Sequence, residues 1–147
     1  MGSSPLPDER KPVTEPAAKA QRAATILLVE DDPAVRAVAE RSLRRWGYSV
    51  LSAEGGPEAI RFAQDHPEET DLLLTDIMMP GMNGLMVAEE LSQIRPGIRI
   101  FFMSGYADQD LVRQGLLDPE THFLQKPFTP QELAGRVREI LERDDED

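Results

Sequence analysis

Five short apolar runs, separated by stretches of helical pattern, constrain this chain more than any other feature. They read "TILLVE" (25–30), "YSVLSA" (48–53), "DLLLT" (71–75), "IRIFFM" (98–103) and "THFLQ" (121–125). The three successive leucines at 72–74 suit a strand buried on both faces. Strands that alternate with helices must be joined by right-handed crossovers, which gives a parallel sheet covered by helices on both sides. The expected fold class is therefore α/β, a doubly wound (βα)5 sandwich.

The intervening helices carry their own start and stop signals. The first, about 33–46, opens with Asp32 as a capping acid and Pro33 in the first helical position, and stops at Gly47. Val35, Val38, Ala39, Ser42, Leu43 and Trp46 share one face, so Trp46 is expected in the core. The second, about 57–65, has Pro57 in its first position, and the third, about 84–95, is stopped by Pro96 and Gly97. The fourth, about 108–117, is interrupted by Gly115. The fifth begins with Thr129 and Glu132 around Pro130, a capping box, and buries Leu133, Val137, Ile140 and Leu141.

Composition removes several function classes. The chain has 147 residues, 16 Lys and Arg against 27 Asp and Glu, and a net charge of −11. Phosphate-backbone contacts need clustered basic residues, so no nucleic-acid partner is expected. The same charge opposes adsorption to an anionic membrane. There is no cysteine, which excludes disulfides, thiol nucleophiles and cysteine metal sites. No apolar run is long enough to span a bilayer, and a cytoplasmic location is expected. Residues 1–24, with four prolines, read as a disordered linker or tail, 25–143 as the folded domain and 144–147 as an acidic tail.

In doubly wound sheets, sites gather at the carboxyl ends of the strands. Here the first strand ends in Glu30, Asp31 and Asp32, the third in Asp76, the fourth in Ser104 and the fifth in Lys126. Asp32, just before Pro33, reads as a helix cap. The other carboxylates would repel one another unless a cation neutralised them. Oxygen donors with no His or Cys beside them suit a hard ion, Mg2+ rather than Zn2+. A lysine and a hydroxyl opposite that ion suit phosphoryl oxygens. The set points to phosphorylation of an aspartate. His66 and His122 are isolated and read as loop and strand residues.

The segments "ILLVEDDPAVR", "LLLTDIMMPGMNG", "FFMSGYA" and "FLQKPF" resemble, in order, the four signatures of the response-regulator receiver domain of two-component signalling. The likeness covers about residues 24–143, and the last two segments are most similar to receivers of hybrid sensor histidine kinases. It implies a flavodoxin-like, CheY-like sandwich with a five-stranded parallel sheet in the order 2-1-3-4-5. It implies Asp76 as phosphoacceptor, and Asp31, Asp76, the Met78 carbonyl and Glu30 around Mg2+. Ser104 and Lys126 would hold the phosphoryl group, Ser104 and Phe123 would switch, and the bond before Pro127 would be cis. The implied partners are a histidine kinase or histidine phosphotransfer protein, and a downstream protein at the face of helix four, strand five and helix five. Met78 and Tyr106 would flank the path of attacking water. Met78 has no group to orient that water, so slow self-dephosphorylation is expected. The chain would be a stand-alone regulator or a detached receiver, not an enzyme in its own right.

Two rival readings are weaker. A haloacid-dehalogenase-type phosphatase also uses an aspartyl phosphate, but wants an acid two residues after the nucleophile, where Met78 stands. A flavodoxin-like cofactor binder needs a phosphate-cradling loop after strand one, where "EDDPA" would repel phosphate.

Overall fold

The sheet is built on β1 (Thr25–Val29) and β3 (Leu72–Asp76), the two central strands, each burying nearly every side chain. β2 (Ser49–Ala53) flanks β1, while β4 (Arg99–Ser104) and β5 (His122–Gln125) continue beyond β3. All pairings are parallel and the order is β2-β1-β3-β4-β5. This is the flavodoxin-like order expected for the doubly wound sandwich. The computed structural model describes residues 24–106, 108–115, 117–118 and 120–145. The linker reading of 1–24 falls outside the described residues except for Ala24, which packs against the core.

Alternation along the strands feeds two apolar clusters, one on each side of the sheet. Leu27, Val29, Leu73 and Phe102 face α2 (Gly56–Asp65) and α3 (Gly84–Ile94), together with Phe123 and Leu111. Ile26, Leu28, Leu72, Leu74 and Phe101 face α1 (Pro33–Arg45) and α5 (Pro130–Asp145). Caps fall where the sequence places them. The Asp32 carboxylate accepts from Ala34 N at 2.9 Å, and Thr129 and Glu132 exchange both bonds of the capping box, at 2.8 and 3.0 Å.

Several expectations need correction. Trp46 is not core: it is 52% exposed, and Val38 is 41% exposed. Buried α1 residues are Ala39, Ser42 and Leu43, and the Ser42 hydroxyl donates to the Pro130 carbonyl at 3.1 Å. α5 therefore covers only part of the apolar stripe that a helical wheel assigns to α1. α4 spans only Asp108–Arg113. The chain turns at Gly115, whose φ of +79° is left-handed, and Gly115 N donates to Val112 O at 2.9 Å. α5 runs on to Asp145, two residues into the expected tail, while 146–147 lie outside the described residues. Of the methionines after β3, Met79 and Met82 pack on the core, whereas Met78 and Met86 are exposed.

Candidate functional site

Strand register brings the polar ends together. Val29 pairs with Thr75, so the next residues, Glu30 and Asp76, stand side by side. Asp76 pairs with Met103, which puts Ser104 at the same edge. Ser104 pairs with Gln125, and Lys126 follows, its N–H donating to the Ser104 carbonyl at 2.7 Å. Neighbouring parallel strands lie about 4.8 Å apart, so four strands deliver these side chains to one small region.

Glu30, Asp31 and Asp76 each bring a carboxylate oxygen within 4.8 Å of the others. Glu30 is fully buried, Asp76 is 4% exposed and Asp31 opens to solvent. Lys126 reaches in from fifty residues along the chain, its Nζ 2.8 Å from Glu30 Oε1 and 3.1 Å from Asp76 Oδ2. The Lys126–Pro127 peptide is cis. One ammonium thus pairs with two of three clustered carboxylates. The contact with Glu30 is an ion pair, but its angle leaves Glu30 Oε1 without a well-formed hydrogen bond.

The electrostatics follow from burial. Loss of water around Glu30 pushes its carboxyl pKa up, against the pull of Lys126 and the Asp32 N–H. Burial also works against the Lys126 ammonium, but its bonds to Glu30 and Asp76 outweigh this and its pKa is raised. A strand edge with excess negative charge, an under-bonded buried oxygen and only oxygen donors fits a small hard cation.

Neighbours fix this set in place. Arg36, in the first turns of α1, donates to the Glu30 carbonyl at 2.7 Å. The Glu30 carboxylate accepts from Asp32 N at 3.1 Å. Ser104 is fully buried, and its hydroxyl oxygen accepts from Tyr106 N at 3.0 Å. Phe123 is buried among the side chains facing α3 and α4, and its carbonyl accepts from Arg136 at 3.0 Å. Met78 and Tyr106 stand at the rim, 52% and 57% exposed. Arg36 was not singled out from the sequence. Its placement four residues into an amphipathic helix gives no hint of a backbone carbonyl as partner.

Comparison with known proteins agrees with this arrangement. The family model of the response regulator receiver domain matches residues 26–138. The chain belongs to the response-regulator receiver family of two-component signalling. It is 38% identical over 142 residues to "Sensor kinase CckA" of Brucella abortus (strain 2308), covering 97% of this chain and 15% of that protein. It is 34% identical to "Response regulator receiver protein CpdR" of the same organism, over 79% of this chain and 95% of the relative. Among solved structures, the receiver domain of the hybrid histidine kinase CckA superposes with a TM-score of 0.69 at 36% identity, covering 80% of this chain and 99% of the other. The Vibrio cholerae chemotaxis protein CheY4 gives 0.72 at 25% identity, covering 82% and 100%. The likeness to hybrid-kinase receivers read from the sequence is thus matched. The phosphatase alternative gains no support. The chain spans a small part of the CckA kinase and half of "Uncharacterized transcriptional regulatory protein YbdJ" of Bacillus subtilis (strain 168). Among the described residues, no helix is long and apolar enough to cross a membrane.

Proposed function

We propose that this domain accepts a phosphoryl group on Asp76 from a histidine-phosphorylated partner and thereby alters a protein-binding face. The observation that carries the reading is the single lysine held between two buried carboxylates beside a third, exposed one. That arrangement carries more negative than positive charge, which an added cation would offset, and it holds Asp76 at the end of a buried strand. Asp31, Glu30, Asp76 and the Met78 carbonyl are the residues that would hold Mg2+, directly or through water. Bound there, Mg2+ neutralises charge on the phosphoryl oxygens.

The chain's own residues do the rest. An Asp76 carboxylate oxygen forms the new O–P bond as the P–N bond of the donor phosphohistidine breaks; with the donor ring protonated on its other nitrogen, the P–N electron pair stays on the departing nitrogen and neutral imidazole leaves. Lys126 leaves its contact with Asp76 to pair with the incoming oxygens, and Ser104 offers its hydroxyl to them. Moving the Ser104 hydroxyl off Tyr106 N loosens the β4–α4 loop and biases the packing around Phe123, whose carbonyl ties β5 to α5. The affected surface is that of α4, β5 and α5. The protein is a signalling phosphoacceptor working in the cytoplasm, with a kinase or phosphotransfer protein upstream and a protein target downstream.

Incubation with Mg2+ and acetyl phosphate tests this directly. Intact-mass measurement should find one phosphoryl adduct on the wild type and none on Asp76→Ala. Absence of the adduct from the wild type would sink the proposal. Met78 offers nothing to orient a hydrolytic water, so the adduct should persist, and Met78→Asn should shorten its lifetime by roughly tenfold. A wild-type lifetime of seconds would contradict this.

A further inference from the structure

The loop that follows Asp76 is held at both ends. Thr75 Oγ1 donates to the Asp76 carbonyl at 3.0 Å, and Ile77 N donates to Met103 O at 3.0 Å, so the Asp76–Ile77 peptide plane is pinned on both edges. The next plane is pinned by Gly84, whose N–H donates to the Ile77 carbonyl at 2.9 Å. Met78 N belongs to that plane. The backbone from Asp76 to Met78 N, the approach to the Met78 carbonyl, is therefore set by β4 on one side and by the first turn of α3 on the other.

Gly84 is the point of closest approach. A Cβ there would lie 2.1 Å from the Asp76 carbonyl oxygen and 2.9 Å from the Ile77 Cα, both backbone atoms. By contrast, a Cβ at Gly56 would meet the Met82 thioether at 2.5 Å, and a side chain can yield. Gly84 has no left-handed φ to explain it. As the first residue of α3 after the Asn83 cap, it occupies a position where alanine would serve the helix better. Only the contact with Asp76 demands glycine.

We propose that Gly84 is a positioning residue: with the Asn83-capped first turn of α3, it braces Asp76 and the Met78 carbonyl in the geometry that binds Mg2+. This rests on the site reading above and adds a residue that touches neither metal nor phosphate. Bringing an added Cβ from 2.1 Å to an ordinary contact near 3.4 Å requires the Asp76 backbone or α3 to retreat by more than the ~0.5 Å that a functional site tolerates. Asn83 Oδ1 accepts from Met86 N at 2.9 Å, so its removal loosens the same turn without adding atoms.

The test is calorimetric titration of Mg2+ into the full chain as wild type, Gly84→Ala, Asn83→Ala and Gly56→Ala, with thermal unfolding of each measured with and without Mg2+. Gly84→Ala should bind Mg2+ roughly tenfold or more weakly, because a misplacement near 1 Å can cost up to 10²-fold. Asn83→Ala should lose several-fold, and Gly56→Ala should stay near the wild type. A purely structural glycine would lower both unfolding temperatures equally. The positioning role instead shrinks the rise that Mg2+ produces. Wild-type affinity in a folded Gly84→Ala overturns the inference. If that variant does not fold, Asn83→Ala decides: unchanged affinity overturns the inference and weakened affinity upholds it. A wild type that binds no Mg2+ overturns the metal reading itself, and is told apart because the loss is then not confined to the variants.

Discussion

β3 has an aspartate at each end, and the two live in opposite circumstances. Asp71, just before the strand, is 9% exposed; its Oδ2 accepts from Thr25 N at 2.8 Å and its Oδ1 lies 3.8 Å from Arg95. Asp76, its last residue, is 4% exposed and shares one lysine with Glu30 while Asp31 stands alongside. Asp71 has backbone and guanidinium partners of its own, and its role is to close the lower edge of the sheet. Asp76 sits in a surplus of like charge that its lysine offsets only in part. Residue type and burial are nearly the same, so neither separates the structural carboxylate from the proposed phosphoacceptor. The local balance of charge does.

The sharpest way to break this comparison is to remove the cation that touches the buried carboxylates at the upper edge. Lys126→Ala leaves Glu30 and Asp76 buried against each other without the ammonium that pairs with both. Phosphorylation by acetyl phosphate should slow by on the order of 100-fold, the scale of losing one pre-placed donor. Unfolding temperature should fall without Mg2+ and recover in part with it. Equal losses in both conditions would mean that Lys126 is merely structural.

The converse change belongs at the lower edge. Asp71→Ala strips the acceptor from Thr25 N and the ion partner from Arg95, so urea unfolding should report a loss of about 1–3 kcal/mol. Its rate of phosphorylation should match the wild type. A variant of Asp71 that slows phosphorylation while keeping its stability would erase the division between the two ends of β3.

How much of this was readable beforehand depends on what each residue contacts. The strand ends were legible because a parallel sheet aligns them by register: once β1, β3, β4 and β5 are ordered, Glu30, Asp76, Ser104 and Lys126 must meet. Trp46 was misread because periodicity assigns a face without saying how far the neighbouring helix reaches; α5 covers Ser42 and Leu43 and stops short of it. α4 was overestimated because a glycine that ends a helix and one tolerated inside it look the same until φ is known. Arg36 and Gly84 stayed hidden for a common reason. Both act on backbone atoms, the Glu30 and Asp76 carbonyls, and backbone partners leave no residue pair to recognise.

The smallest effect concerns the foot of the molecule again. Tyr48 follows α1 and packs partly against the side chains of the α1–α5 face. Burial raises its phenol pKa above 10, and the charge of Glu142 adds to this while Arg138 opposes it. The neutral phenol is thus favoured in the folded state. Its contribution to stability is complete below the unfolded value near 10 and is lost as pH rises through the higher folded pKa. Unfolding curves of the wild type should therefore weaken in that alkaline window, and Tyr48→Phe, which has no proton to lose, should weaken less there. The two proteins should also take up phosphate at equal rates at neutral pH, since the foot of the sheet carries no part of that chemistry. A Tyr48→Phe variant with the same alkaline decline as the wild type would assign the decline to other groups.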